Sequence, residues 1–147
     1  ADTPRLTTNE AGARHLNSVH GVYLNKRYRE LGRELLPLAS LNSVTLLHAE
    51  MVGRSYGGGI LKIEPKEADA WAMPAPDLVL ACSDALCSAK KKVAELLVEG
   101  KLLDAVDIVD QIILLDNYNL PLTKIKLIKH ARTELLRRRT TRANSGR

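Results

Sequence analysis

Arg54-Ser55-Tyr56-Gly57-Gly58-Gly59-Ile60-Leu61-Lys62-Ile63-Glu64-Pro65 is the stretch on which the reading of this sequence turns. Three consecutive glycines lose a great deal of backbone entropy on folding, so a plain connector seldom carries them. They let a backbone lie flat against another surface with its N–H groups open to phosphate oxygens. Equally, they suit a tight helix-to-strand turn in which the glycines serve packing alone. Arg54, Ser55, Lys62 and Lys66 flank them with donors, and Tyr56 adds one ring able to stack. No Gly-Lys-Ser/Thr follows, and the run precedes a strand-like segment rather than a helix, so it is not a P-loop.

Upstream, Leu35, Leu36, Leu38, Ala39, Leu41, Leu46, Leu47, Ala49 and Val52 form a broad apolar stripe at helical spacing. It predicts one helix, with Pro37 in its first turn and Gly53 just past its end in a left-handed conformation. Residues 54–59 then read as irregular, Ile60–Ile63 as a short strand, and Pro65–Ala70 as one helical turn running into the Met73-Pro74-Ala75-Pro76 loop. Before the stripe, residues 1–17 are polar and loop-like, and Val19, Val22, Tyr23 and Leu24 suggest a short strand around His20-Gly21.

Downstream the sequence is helical. Asp77 is placed to cap a helix reaching about Glu99, with Leu78, Ala81, Ala85, Leu86, Ala89, Val93, Leu96 and Leu97 on its buried side and Gly100 ending it. Residues 101–115 form a second helix, with Asp104, Asp107 and Asp110 on its wet face. A third begins near Thr123 and ends in the arginines. The expected fold is therefore α+β and helix-dominated: short strands around a Gly-rich loop, then a C-terminal antiparallel three-helix region. Residues 1–76 and 77–147 are its two parts, in one compact unit.

At 147 residues the chain has the length of one domain. Its 45% hydrophobic residues suffice for a core, which must be aliphatic because only Trp71, Tyr23, Tyr28, Tyr56 and Tyr118 are aromatic. Such a chain is neither disordered nor, with two cysteines, a disulfide-stapled scaffold. No apolar stretch approaches the roughly 20 residues of a membrane span. Ala1 stands where an initiator Met would, and no signal-type segment follows, so the sequence reads as trimmed or cut from a larger protein.

Twenty-two Lys and Arg against seventeen Asp and Glu give +5, unevenly spread. From Lys124 to Arg147 nine bases face one acid, Glu134, which leaves +8 there and −3 on the other 123 residues. A second basic cluster comprises Arg14, Lys26, Arg27, Arg29 and Arg33. Polyanion binding explains both clusters; so do cations at a helix C-terminus, or an arginine tail packed on the acidic stretch Val93–Thr123. The four histidines match no zinc spacing, and Cys82 and Cys87 project differently from one helix. Ser55 has no partnered base. The sequence shows no catalytic set and no metal site.

Leu41-Asn42-Ser43, Leu46-Leu47, Glu50, the run Gly53 to Pro65 and Met73-Pro74-Ala75-Pro76 together resemble the C-terminal region of N6-adenine DNA methyltransferases of restriction–modification systems. Asn17-Ser18-Val19-His20-Gly21-Val22 is similar to the strand opening that family's final segment. Val106-Asp107, Ile112 and Leu135-Leu136-Arg137-Arg138-Arg139 look like the family's end. The resemblance implies target recognition on double-stranded DNA, and a methyltransferase domain N-terminal to this chain that uses S-adenosylmethionine. The family's catalytic motif, Asn or Asp followed by Pro-Pro and an aromatic, is absent, because no two prolines are adjacent. No cofactor is therefore expected in this chain, which on its own would not be an enzyme.

On this reading Arg54, Ser55, Lys62, Lys66 and the backbone of Gly57, Gly58 and Gly59 hold the DNA backbone. His20, Tyr23 and Tyr56 approach bases, while Arg137, Arg138 and Arg139 add a sequence-blind term. The implied location is the cytoplasm of a bacterium or archaeon, away from membranes. The alternative is a helical docking module that packs on a partner domain without touching nucleic acid. An RNA-binding role ranks third, since five aromatics give little to stack on single-stranded bases.

Overall fold

Asn25 accepts a hydrogen bond from the Arg27 amide and starts a single 3-10 turn, Lys26–Tyr28, that feeds the first α-helix. The computed structural model describes residues 3–15 and 19–144, and Asn17 and Ser18 of the segment likened to an opening strand fall outside them. Helix α1 (Arg29–Ala39) and helix α2 (Ser43–Val52) replace the one long helix expected over residues 35–52, and they meet at 87°. The break is written in Asn42. Its side chain accepts from the Thr45 amide at 2.9 Å and donates to the Ala39 carbonyl at 2.7 Å, so it caps α2 and closes the end of α1 together. Pro37 consequently lies near the end of α1 rather than in a first turn.

Gly53 ends α2 with φ −72°, not in the left-handed region expected. Glycine is needed there for space: a Cβ would come within 2.7 Å of Leu61 Cδ1 and 2.8 Å of the Ala49 carbonyl oxygen. The chain then forms an antiparallel hairpin of β1 (Arg54–Tyr56) and β2 (Ile60–Lys62), with Arg54 opposite Lys62 and Tyr56 opposite Ile60. Residues 54–56, expected to be irregular, are thus a strand. Gly58 and Gly59, at φ 77° and 73°, provide the left-handed backbone that turns the chain so soon onto its partner.

Helix α3 (Pro65–Ala70) opens with a reciprocal capping box between Glu64 and Glu67, and α4 (Pro76–Ala81) opens on Pro76 with Asp77 inside its first turn. Cys82, at φ −94° and ψ 2°, separates α4 from α5 (Ser83–Val98), so the helix expected over 77–99 is broken once. Gly100 (φ 76°) turns into α6 (Leu102–Asp110), which widens into a π-helical segment, Gln111–Asn117, before α7 (Leu122–Asn144).

One aliphatic core joins α1 to α4, α5, α6 and the π-helical segment through Leu35, Leu38, Val79, Leu86, Val93, Val109 and Ile113. Helix α7 does not complete a three-helix bundle with α5 and α6, as expected; it packs chiefly on α2 and on the glycine turn. A buried polar joint directs it there. Asp110, expected on the wet face of its helix, is 1% exposed. It accepts from the Ser43 amide at 2.7 Å and the Ser43 hydroxyl at 2.5 Å, and meets Lys129 Nζ of α7 at 3.2 Å. The amides that open α2 need such an acceptor. No strand forms over residues 19–25, where Val19, Val22 and Tyr23 are exposed and find no strand to pair with among the described residues. The N-terminal arm instead runs over the helices, held by Thr3 to Arg132 of α7 at 2.7 Å and by Thr8 to the Arg33 carbonyl at 2.5 Å. Among the described residues, no single helix is long and apolar enough to cross a membrane.

Candidate functional site

The hairpin has two unlike faces, because side chains alternate along each strand and direct partners share a side. Leu61 points inward and packs with Ala49, Ile63 and Trp71 in a small second core. The outward face carries Arg54, Tyr56, Ile60 and Lys62. Tyr56 is 46% exposed and Ile60 52%, so an apolar pair is left open to solvent on the turn side of the paired cations Arg54 and Lys62. Gly57 and Gly58 form the exposed tip, where an added Cβ would meet nothing within 4 Å.

Each cation of this face already has a carboxylate partner. Arg54 binds Glu67 through Nε at 2.7 Å and Nη2 at 2.5 Å, and the pair raises the guanidinium pKa, first through that hydrogen bond. Lys62 binds Glu64 at 2.7 Å and lies 5.2 Å from the centre of the Tyr56 ring. The hydrogen bond from Lys62 holds the Glu64 carboxyl below the usual carboxylate range, with the charges of Lys62, His20 and Arg54 adding to it. These are exposed pairs, worth little to stability and easily exchanged for another anion. Ser55 is exposed on the opposite side of β1, and Lys66 is exposed in α3 with no ion pair among the described residues.

Beneath the tip, Gly59 is buried, and its carbonyl accepts from Arg139 of α7. Arg139 also grips Glu50 of α2 with two nearly parallel bonds, Nε to Oε2 at 3.0 Å and Nη2 to Oε1 at 2.9 Å. The two side chains are 5% and 2% exposed. The expectation that Arg139 faces DNA is therefore corrected: it is a bracket that fixes the hairpin on α2 and α7. Its neighbours differ. Arg137 is exposed and paired with Glu134 at 3.0 Å, and Arg138 is exposed with no ion pair among the described residues.

His20 and Tyr23 stand apart from the hairpin face, in the wall of a cleft between the N-terminal arm and α1. The structure thus brings Arg54, Tyr56 and Lys62 together, sets Arg139 behind them and places His20 and Tyr23 alongside. Three residues that the sequence reading passed over hold the site in shape: Glu50 through Arg139, Asp110 through Ser43, and Trp71, which donates to the Thr45 carbonyl at 2.8 Å. Only Asn42 carried a local signal, that of a helix cap.

A family profile described as the C-terminal domain of the Type II methyltransferase M.Eco57I matches residues 1–114. Helix α7, with its Arg139 bracket, lies beyond that match. The Type II methyltransferase M.XamI of Xanthomonas campestris pv. amaranthicola is 37% identical over 75 residues, covering 48% of this chain and 13% of that protein. The chain thus aligns with only a small fraction of that relative's length. No solved structure matches.

Proposed function

The chain belongs to the M.Eco57I C-terminal-domain family of Type II methyltransferases, and from that premise we propose that it is a DNA-binding target-recognition module whose contact element is the hairpin of residues 54–62. The observation that carries this reading is the outward face Arg54–Tyr56–Ile60–Lys62, open to solvent yet anchored from behind by Arg139 and Glu50. A two-stranded ribbon fits the major groove, which is roughly 12 Å wide. In that position Arg54 and Lys62 exchange Glu67 and Glu64 for backbone phosphates, which sets register. Tyr56 and Ile60, the next pair on the same face towards the glycine turn, meet base edges and thymine methyl groups. The anchoring matters because a loosely hung ribbon would lose ordering entropy on each contact.

Methylation itself belongs to the rest of the polypeptide in this reading, with adenine N6 as the acceptor and S-adenosylmethionine as the donor. The glycine turn does not fit that cofactor. The glycine turn precedes a strand, its Gly59 carbonyl is taken by Arg139, and Gly57 and Gly58 open onto solvent rather than into a pocket. The partner on the protein side is then the methyltransferase domain.

The test is equilibrium binding of the 147-residue chain to duplex DNA across a salt series. Replacing Arg54 and Lys62 together by Ala is expected to weaken binding and to lower the slope of log K against log salt by about 1.8, two phosphates' worth. Unchanged affinity and slope would remove the hairpin from the DNA interface.

A further inference from the structure

The cleft that His20 and Tyr23 line has a volume of about 730 Å³, and among the described residues no carboxylate lines its wall. Four arginines line it: Arg5 and Arg14 from the N-terminal arm, Arg29 and Arg33 from α1. None of the four makes an ion pair among the described residues, whereas Arg54, Lys62 and Arg137 are all matched by a carboxylate. The unneutralised positive charge of this part of the molecule is therefore in the cleft and not on the hairpin. Leu24, Leu36 and Pro37 form an apolar floor, and Leu24 is seated so closely on α1 that a Cβ on Gly32 would meet it.

We propose that this cleft is a second phosphodiester site, in which Arg29, Arg33, Arg5 and Arg14 take backbone phosphates of the duplex that meets the hairpin. Guanidinium groups bind phosphate oxygens in pairs, with a geometry that lysine lacks. Arg29 and Arg33 are one helical turn apart, about 6 Å along the axis of α1, so they reach separate phosphates of one strand. His20 and Tyr23 stand in the same wall as the four arginines. The inference rests on the reading of the chain as a DNA-binding module, and adds a clamp away from the ribbon.

The experiment compares three forms of the 147-residue chain on a short labelled duplex from about 50 to 200 mM salt: the natural sequence, R29A/R33A and R54A/K62A. Arg29 and Arg33 are exposed, so R29A/R33A should keep its far-ultraviolet circular dichroism, and R29K/R33K guards against a fold effect by restoring the charge. Expected for R29A/R33A is a slope lower by about 1.8, so that the natural chain loses roughly tenfold more affinity than the variant over that salt range. R29K/R33K should recover the slope while binding more weakly.

If R54A/K62A lowers the slope and R29A/R33A does not, the DNA reading stands and the cleft is overturned. If R29A/R33A alone lowers it, the cleft stands and the ribbon is displaced. A natural chain that binds no duplex overturns both. Inorganic phosphate at matched ionic strength should leave binding unchanged; if it displaces the duplex from the natural chain but not from R29A/R33A, the cleft takes free phosphate and the backbone assignment falls. Displacement by poly-glutamate, again only from the natural chain and at matched ionic strength, would give the cleft to an acidic protein and overturn it likewise.

Discussion

Glu50→Gln tests the bracket behind the hairpin while changing almost no volume. In the natural chain the Arg139 guanidinium is buried against Glu50 with two bonds of 3.0 and 2.9 Å. At an effective dielectric of about 20, charges at that separation attract by roughly 5 kcal/mol. Part of this is offset by the desolvation both groups suffer on burial, so the pair compared with two apolar residues is worth far less. Removing one partner is different. The guanidinium stays buried without the carboxylate that neutralises it, and such losses cost about 3–5 kcal/mol. We expect Glu50→Gln to fall at the lower end, near 3 kcal/mol, because the amide oxygen still accepts one bond. In a chain of this size that lowers Tm by roughly 10 °C. The assay is urea unfolding followed by circular dichroism, with the double variant E50L/R139M as the second arm. The double variant should regain about 1–2 kcal/mol of the loss and stay short of the natural chain by about as much, because the Gly59 carbonyl loses its donor. A Glu50→Gln variant within about 0.5 kcal/mol of the natural chain would refute the reasoning, since surface substitutions behave that way.

Gly53→Ala forces a Cβ against the Ala49 carbonyl and Leu61, and should cost about 1–3 kcal/mol in the same assay. Gly57→Ala meets nothing within 4 Å and lacks a left-handed φ, so it should stay within about 0.5 kcal/mol. The Glu64 pKa is depressed in the folded chain, chiefly by the hydrogen bond from Lys62. The Lys62–Glu64 contribution is therefore fully present above the ordinary carboxylate pKa and lost as pH falls through the lower folded value. Titration of the Glu64 carboxyl carbon by NMR should show a midpoint below that of an unstructured glutamate, returning towards it in Lys62→Ala; a normal midpoint in the natural chain would mean that the pair does not form.

Local sequence rules reached as far as local causes did. The turn of helix over Pro65–Ala70, a short strand expected over Ile60–Ile63 and found over Ile60–Lys62, and the helix end at Gly100 follow from prolines, β-branched residues and glycine placement. The 87° corner was legible too, in Asn42 with Thr45 three residues on, but the leucine stripe on either side is continuous and hides the break. Strand β1 was obscured by its own turn: a glycine run looks irregular until its partner strand is known to lie four residues away. Other features had no local signature. Asp104, Asp107 and Asp110 share one helical spacing, and only the amides of α2 across the fold select Asp110 for burial. Arg139 sits in a run of three identical residues, and only Glu50, 89 positions earlier, distinguishes it from Arg137 and Arg138. The candidate surface was thus visible as residue types, whereas the division between contact residues and supporting ones depended on long-range pairing.

Because the last helix reaches back to grip the ribbon, residues 54–62 are not a cassette that can be moved alone. A graft of those nine residues into a relative would arrive without Glu50 beneath them and without the guanidinium at position 139, and it would hang at an angle set by chance. The smallest piece that carries its own alignment spans α2, the hairpin and the distal half of α7. Drift in any one of the three would re-aim the other two before a single exposed side chain had changed.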